Sequence, residues 1–205
     1  TPQFFAKEDR AYQWTNMRTI ITTEADQTAL TQGKLVSSSY QKSTGRNVFV
    51  YQTSKPIRAI PAWLSFPASS LHSELFVDEN INETTKKSLN INIVAPQGAK
   101  LTEAYNTNLT AIKDTLSWFS THIAPYPAEQ LTLVSLPEVG TTGYALPQIM
   151  FVSHRYAFRS IPNEQATFDQ RYRRAVHETA HQWFGHDLGN GVLKDSAFLI
   201  ESLAK

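Results

Sequence analysis

Between residues 11 and 95 the apolar positions come in short stretches rich in Thr, Val, Ile, Tyr and Phe, broken by turn residues. β-branched and aromatic side chains fit a pleated, half-buried surface, so the pattern predicts successive strands. They fall at Met17–Thr23, Lys34–Tyr40, Val48–Gln52 and Leu89–Val94. Thr31-Gln32-Gly33 and Ser43-Thr44-Gly45 supply glycine at turns, while Pro56, Pro61 and Pro67 keep their stretch off any central strand. The expectation for residues 1–96 is an antiparallel β-domain.

After Pro96-Gln97-Gly98 the period changes. Leu109, Ile112, Leu116, Phe119 and Ile123 recur at helical spacing and define one apolar stripe, and Ala124-Pro125-Tyr126-Pro127 ends that helix. A strand at Gln130–Leu136 follows, then a glycine-containing loop at Gly140–Gly143 and a second apolar strand around Ile149–Val152. A helix from about Glu164 to Asp187 and another from about Ser196 complete the reading. The fold class is therefore α+β, with a division near residue 97 and a second unit over 97–205.

Composition narrows the function. With 41% hydrophobic and 11% aromatic residues the chain can build real cores. Lys plus Arg total 19 against 18 acidic residues, so no electrostatic footprint for nucleic acid or an anionic membrane is present. There is no cysteine, so any metal must be held by His, Asp or Glu. No apolar run approaches the roughly 20 residues of a membrane span, and no signal-peptide pattern stands at the start. The start at Thr1 and the stop at Lys205, in a segment that still reads as helix, suggest a piece of a longer protein.

The chemistry is concentrated in Val176-His177-Glu178-Thr179-Ala180-His181. On a helix, His177 and His181 at i and i+4 project from one face and can grip one ion. Glu178 is rotated to the edge of that face, where it can reach a water polarised by the ion without displacing it. The alternative is an accidental HExxH on a solvated helix, which a chain of this composition would show by chance roughly one time in a hundred. Glu201 on the next helix is the candidate third ligand: its neighbours Ala197, Phe198 and Ala204 give an apolar setting in which a carboxylate calls for a cation. An exposed glutamate without a ligand role is the alternative.

His186 does not make a metzincin, because Gly185 and His186 follow His181 by four and five residues where that pattern needs three and six. It reads instead as a histidine at a helix C-terminus, favoured by the macrodipole, or as a group supporting the ligands. His72, His122 and His154 carry no partner spacing and read as structural. Trp183 points away from the ligand face and reads as core. Arg171, Arg173 and Arg174 read as a solvated face, with Arg174 alone spaced to look toward Glu178.

The run His177-Glu178-Thr179-Ala180-His181-Gln182-Trp183-Phe184-Gly185, followed by Glu201, resembles the aminopeptidase N family of gluzincin metallopeptidases. The resemblance implies a saddle-like N-terminal β-domain followed by the N-terminal part of a thermolysin-like catalytic domain. It implies zinc held by His177, His181 and Glu201, Glu178 as general acid/base, and Gly143 and Tyr144 on the strand that binds a peptide substrate. Three departures stand out. Glu201 lies one residue further from His181 than usual, a difference absorbed in Gly189-Asn190-Gly191. The stretch Gly143-Tyr144-Ala145-Leu146-Pro147-Gln148 carries no carboxylate where the family anchors a free amine, and no acidic residue occurs between Glu138 and Glu164. The family's oxyanion-stabilising tyrosine would fall beyond Lys205. The spacing is most similar to bacterial peptidase-like domains fused to ABC-type permease segments, which implies an extracytoplasmic domain of a membrane protein. Two functions stay open: a zinc peptidase of aminopeptidase type, or a degenerate zinc-binding module that senses or docks. Retention of Glu178 favours the first, because a structural ion has no use for a general base.

Overall fold

The computed structural model describes residues 13–77, 88–96, 102–137, 143–160, 169–188 and 196–204. The architecture is α+β, with an antiparallel β-region first and helices on a mixed sheet after it.

In the first region β2 (Arg18–Glu24), β5 (Arg46–Gln52) and β4 (Lys34–Gln41) form a three-stranded antiparallel sheet in the order β2-β5-β4. The strands β3 (Gln27–Thr31) and β7 (Trp63–Pro67) pair beside it, as do β1 (Trp14–Thr15) and β6 (Ile57–Arg58). Pro67 stands at the end of a two-stranded pair, where a missing N–H costs no ladder bond.

The second sheet has five strands in the order β11-β12-β10-β9-β8: Gly143–Leu146, Ile149–Ser153, Gln130–Leu136, Ser88–Val94 and Leu71–Val77. It is continuous across residue 97. Strands β9, β10 and β12 run parallel, and the crossover from β9 to β10 carries helix α1 (Glu103–His122), as a parallel pair requires. Thr102 caps α1, its hydroxyl accepting from the N–H of Tyr105 at 3.2 Å. The stripe Leu109, Ile112 and Leu116 is buried as the period predicts, whereas Ile123 lies just past the helix and is exposed.

Both faces of this sheet are covered. Ile91, Ile93, Leu131, Leu133, Met150 and Val152 pack under the helices with Trp183, and Val94, Val134, Ile149 and Phe151 pack against Leu30, Tyr51 and Phe66 of the β-region. A strand buried on both sides reads as an unbroken apolar run, as Ile149–Val152 of β12 does, whereas β10 also buries the polar Gln130 and Thr132. Among the described residues no helix is long and apolar enough to cross a membrane.

Candidate metal centre

After the short helix α2 (His154–Ala157), helix α3 (Gln170–Ala180) opens at Asp169, whose carboxylate accepts from the N–H of Arg171 at 2.8 Å. Arg171 is not part of a solvated face. It is 4% exposed and ion-paired with Asp169 and with Glu103 of α1, which ties the start of α3 to α1. Ala175, Thr179 and Ala180 turn into the core. The helix stops at Ala180, seven residues short of the expected end, and the chain continues in turns through Gly185, whose φ of +124° only glycine adopts at low cost. The predicted stretch before 169 and the Gly189-Asn190-Gly191 turn lie outside the described residues.

Helix α4 (Ser196–Leu203) brings Glu201 to the face that carries the two histidines. The Nε2 atoms of His177 and His181 are 3.2 Å apart, and the Glu201 carboxylate oxygens stand 3.5 Å from the first and 3.6 Å from the second. Ligands at about 2.0–2.2 Å around a tetrahedral ion stand roughly 3.3–3.6 Å from one another, so the three donors already have the spacing of one metal site. The Nδ1 atoms are engaged elsewhere: His177 with the carbonyl of Ala204 and His181 with that of Phe184, each at 3.1 Å. A carbonyl only accepts, so each Nδ1 carries the proton and each Nε2 presents a lone pair. Burial, and then the charge of His181, push the His177 imidazole below its usual range, toward the neutral form a metal needs.

Glu201 reaches this position without the apolar setting expected of it. Its side chain is 59% exposed, so burial does not explain it and proximity to the two Nε2 atoms does. The side chains of Ala197 and Phe198 lie outside the described residues.

Glu178 is the buried carboxylate. It is 1% exposed, and burial raises its pKa above the ordinary range against the opposing pull of Arg174. Arg174 Nη1 donates to Oε1 at 3.2 Å. Gly143 on β11 packs against the same oxygen, so closely that a Cβ there would stand 2.7 Å away. Oε2 is buried with no partner among the described residues. An orphaned carboxylate oxygen beside three convergent donors is what a proton acceptor for a polarised water looks like. The pocket around these groups measures about 370 Å³, and Arg58, Gly143, Tyr144 and His186 also line it. Tyr144 stacks on Phe151 with ring centroids 5.0 Å apart.

No protein-family model and no curated protein matches the sequence. Solved structures do. A glutamate-to-alanine variant of the M1 zinc metallopeptidase from Deinococcus radiodurans superposes with a TM-score of 0.66 at 18% identity, over 93% of this chain and 39% of that one. The fold is that of the M1 zinc metallopeptidases. A two-domain M1 zinc metallopeptidase bound to L-arginine gives a TM-score of 0.65, and the Deinococcus radiodurans variant bound to the substrate Tyr-Ser-Ala gives 0.63, each at 18% identity over 93% of this chain. The chain spans 39% of the length of both.

On this M1 fold the residues predicted from the motif, His177, Glu178, His181 and Glu201, come together in one pocket, with Gly143 and Tyr144 on its edge strand. His186 is not at a helix C-terminus, since α3 ends six residues before it. It sits in the pocket wall, where burial holds its pKa at about 4. The motif reading passed over Gln182 and Gln148. Gln182 Oε1 accepts from the Gln148 N–H at 2.7 Å and its Nε2 donates to the Leu146 carbonyl at 3.0 Å, which pins the β11–β12 turn to the end of the metal-ligand segment. The sequence signal that could have found this turn is Leu146-Pro147-Gln148-Ile149, with proline at the second position, where a type II turn wants it; Gln148 follows at φ +66°.

Proposed function

We propose that this chain is part of a zinc-dependent peptidase of aminopeptidase type, with His177, His181 and Glu201 as zinc ligands and Glu178 as the general acid/base. The observation that carries the reading is the trio of donors at tetrahedral spacing with the unpartnered Oε2 of Glu178 beside them. Zinc held there supplies Lewis acidity and a water acidic near neutral pH. Beside such an ion Glu178 would accept a proton on Oε2 and would return it to the leaving amine of the cut peptide bond. Arg174 and the close backbone of Gly143 hold Oε1, so the carboxylate presents its other oxygen to the reaction. The exposed edge of β11 aligns an extended peptide by strand addition, with Tyr144 at its side.

The remainder of the reading rests on the motif's resemblance to permease-fused domains: a longer bacterial membrane protein with this domain on its extracytoplasmic side. The test uses the full-length protein. Glu178→Gln should keep its zinc and lose peptide hydrolysis, while Glu201→Gln should lose metal affinity. Zinc at one per chain with no hydrolysis of any peptide by the wild type would instead favour a docking or sensing module.

A further inference from the structure

Two cavities meet at the three donors. The pocket already described, walled on one side by β11, shares Arg174, His177 and Glu201 with a second cavity of about 300 Å³ that opens between α3 and α4. The remaining walls of the second cavity are Gln170, Arg173, Val176 and Ala204, with no strand among them. A peptide laid across the metal position therefore keeps one side of its cut bond in the pocket walled by β11 and passes the other into this cavity.

Arg174 stands where the two cavities join. The helical period puts it one turn before Glu178 and three residues before His177, on the face turned to the site. Its Nη1 donates to Glu178 Oε1 at 3.2 Å, and among the described residues that carboxylate is its hydrogen-bond partner. A guanidinium carries five N–H donors in a flat fork, so one contact fixes its plane and leaves other donors for a ligand. The side chain is 30% exposed, and both cavities are lined by it.

The charges agree with this placement. Arg173 is engaged with other groups, so the argument of charge falls on Arg174. Glu201 is the one carboxylate lining the second cavity among the described residues, and its oxygens are turned to the Nε2 atoms of the two histidines. A divalent ion on the three donors offsets the charges of Glu178 and Glu201, which leaves the guanidinium of Arg174 as surplus positive charge at the mouth of the second cavity.

We propose that Arg174 is a specificity-determining residue: it binds a carboxylate of the substrate on the side of the cut bond away from β11, whether that carboxylate is the chain end or an acidic side chain. This deepens the peptidase reading above and rests on it. An arginine present only to orient Glu178 would treat neutral and anionic ligands alike.

The experiment reads binding to the zinc-loaded full-length protein by calorimetry. The probes are malonyl hydroxamates with one chelating group in common, joined to glutamine amide, to glutamic acid α-amide, or to glutamine with a free carboxylate. The first is neutral, the second carries its charge on the side chain and the third at the chain end. At least one anionic probe should bind about tenfold more tightly than the neutral one, and which of them does so names the source of the carboxylate. In Arg174→Gln any effect passed through Glu178 moves all the probes together, whereas the lead of the anionic probe should fall to about twofold or less. Equal or weaker binding of both anionic probes in the wild type overturns the inference, as does a lead that survives in Arg174→Gln. Failure of every probe to bind in a zinc-dependent way overturns the peptidase reading itself, and this inference with it. Should Arg174→Gln leave Glu178 unpaired and fail to fold, the Arg174→Gln, Glu178→Gln double variant is compared with Glu178→Gln alone, and the same loss of the lead is required.

Discussion

The Nε2 atoms of His177 and His181 face each other across 3.2 Å, and each ring has its Nδ1 proton committed to a backbone carbonyl. Two lone pairs aimed at one point repel each other and attract a cation, so the pair is arranged to hold an ion. Dialysed protein should hold close to one zinc per chain. At a hundredfold excess of free zinc over its dissociation constant, folding should gain about 2.7 kcal/mol, seen as a rise in the thermal midpoint that a chelator reverses. A His177→Ala, His181→Ala double variant with the wild-type zinc content and midpoint shift would refute the site.

Gly143 and Glu178 are a second matched pair. Because an added methyl would stand 2.7 Å from Oε1 and 3.1 Å from the Phe151 carbonyl, Gly143→Ala must displace the carboxylate or the edge strand. Overpacking of this kind costs about 1–3 kcal/mol of stability. The expected result is loss of hydrolysis greater than the loss of zinc, measured on the same preparation, since no metal donor is touched.

Glu178 should show function opposed to stability. Burial raises its pKa, so in the metal-free protein it contributes stability that is present below the unfolded carboxylate value and is lost as pH rises through the folded one. Metal-free Glu178→Gln should therefore unfold later than the wild type at pH 7 to 8 while being unable to hydrolyse peptides. A lower midpoint for the variant at that pH would show that the Arg174 pair outweighs the cost of burying the charge.

How much of this was legible follows from the range over which each signal acts. The strand Gln130–Leu136 and the stripe Leu109, Ile112, Leu116 were readable because their burial is set by local periodicity. The i, i+4 spacing of His177 and His181 was readable for the same reason. The end of α3 was not, because Trp183 and Phe184 continue an apolar pattern past Ala180 although they pack into the core from a turn, with the Trp183 Nε1–H on the Ala124 carbonyl at 2.7 Å. Arg171 looked solvated because its partner Glu103 is 68 residues away. Glu201 was found through an apolar setting that the exposed side chain does not have; only the approach of two helices, invisible in one sequence, places it.

The β11–β12 turn depends on such long-range bonds. Gln148 is held at φ +66° by the Gly33 N–H on its Oε1 at 2.7 Å, by Gln182 on its own N–H, and by the Thr132 N–H on its carbonyl at 3.0 Å. Glycine would relieve the backbone by about 1–2 kcal/mol, but would strand a buried donor at Gly33, which costs about 1–3 kcal/mol, and would loosen the unfolded chain by about 0.4–1 kcal/mol. Gln148→Gly should thus be destabilising by chemical denaturation. A stabilised variant would show that the turn is strained more than its bonds restore.

His186 gives the last expectation, and its sign can be worked out. Burial lowers its pKa from 6.5 to about 4, helped by Arg58 and His181 and opposed by the bond to Ala145. As pH falls below about 6.5 the unfolded chain takes up the proton first while the folded ring stays neutral, so stability is lost progressively until pH reaches about 4 and then levels off. The full effect is on the order of 3 kcal/mol. His177 also has a lowered pKa, so the wild-type curve alone mixes the two. Subtracting the curve of His186→Gln, measured metal-free by urea unfolding between pH 7.5 and 4, isolates the His186 contribution, because the glutamine keeps a donor but cannot titrate. The difference should grow as pH falls through this window, with the glutamine variant becoming relatively more stable. A flat difference would mean that water reaches the imidazole in the folded state.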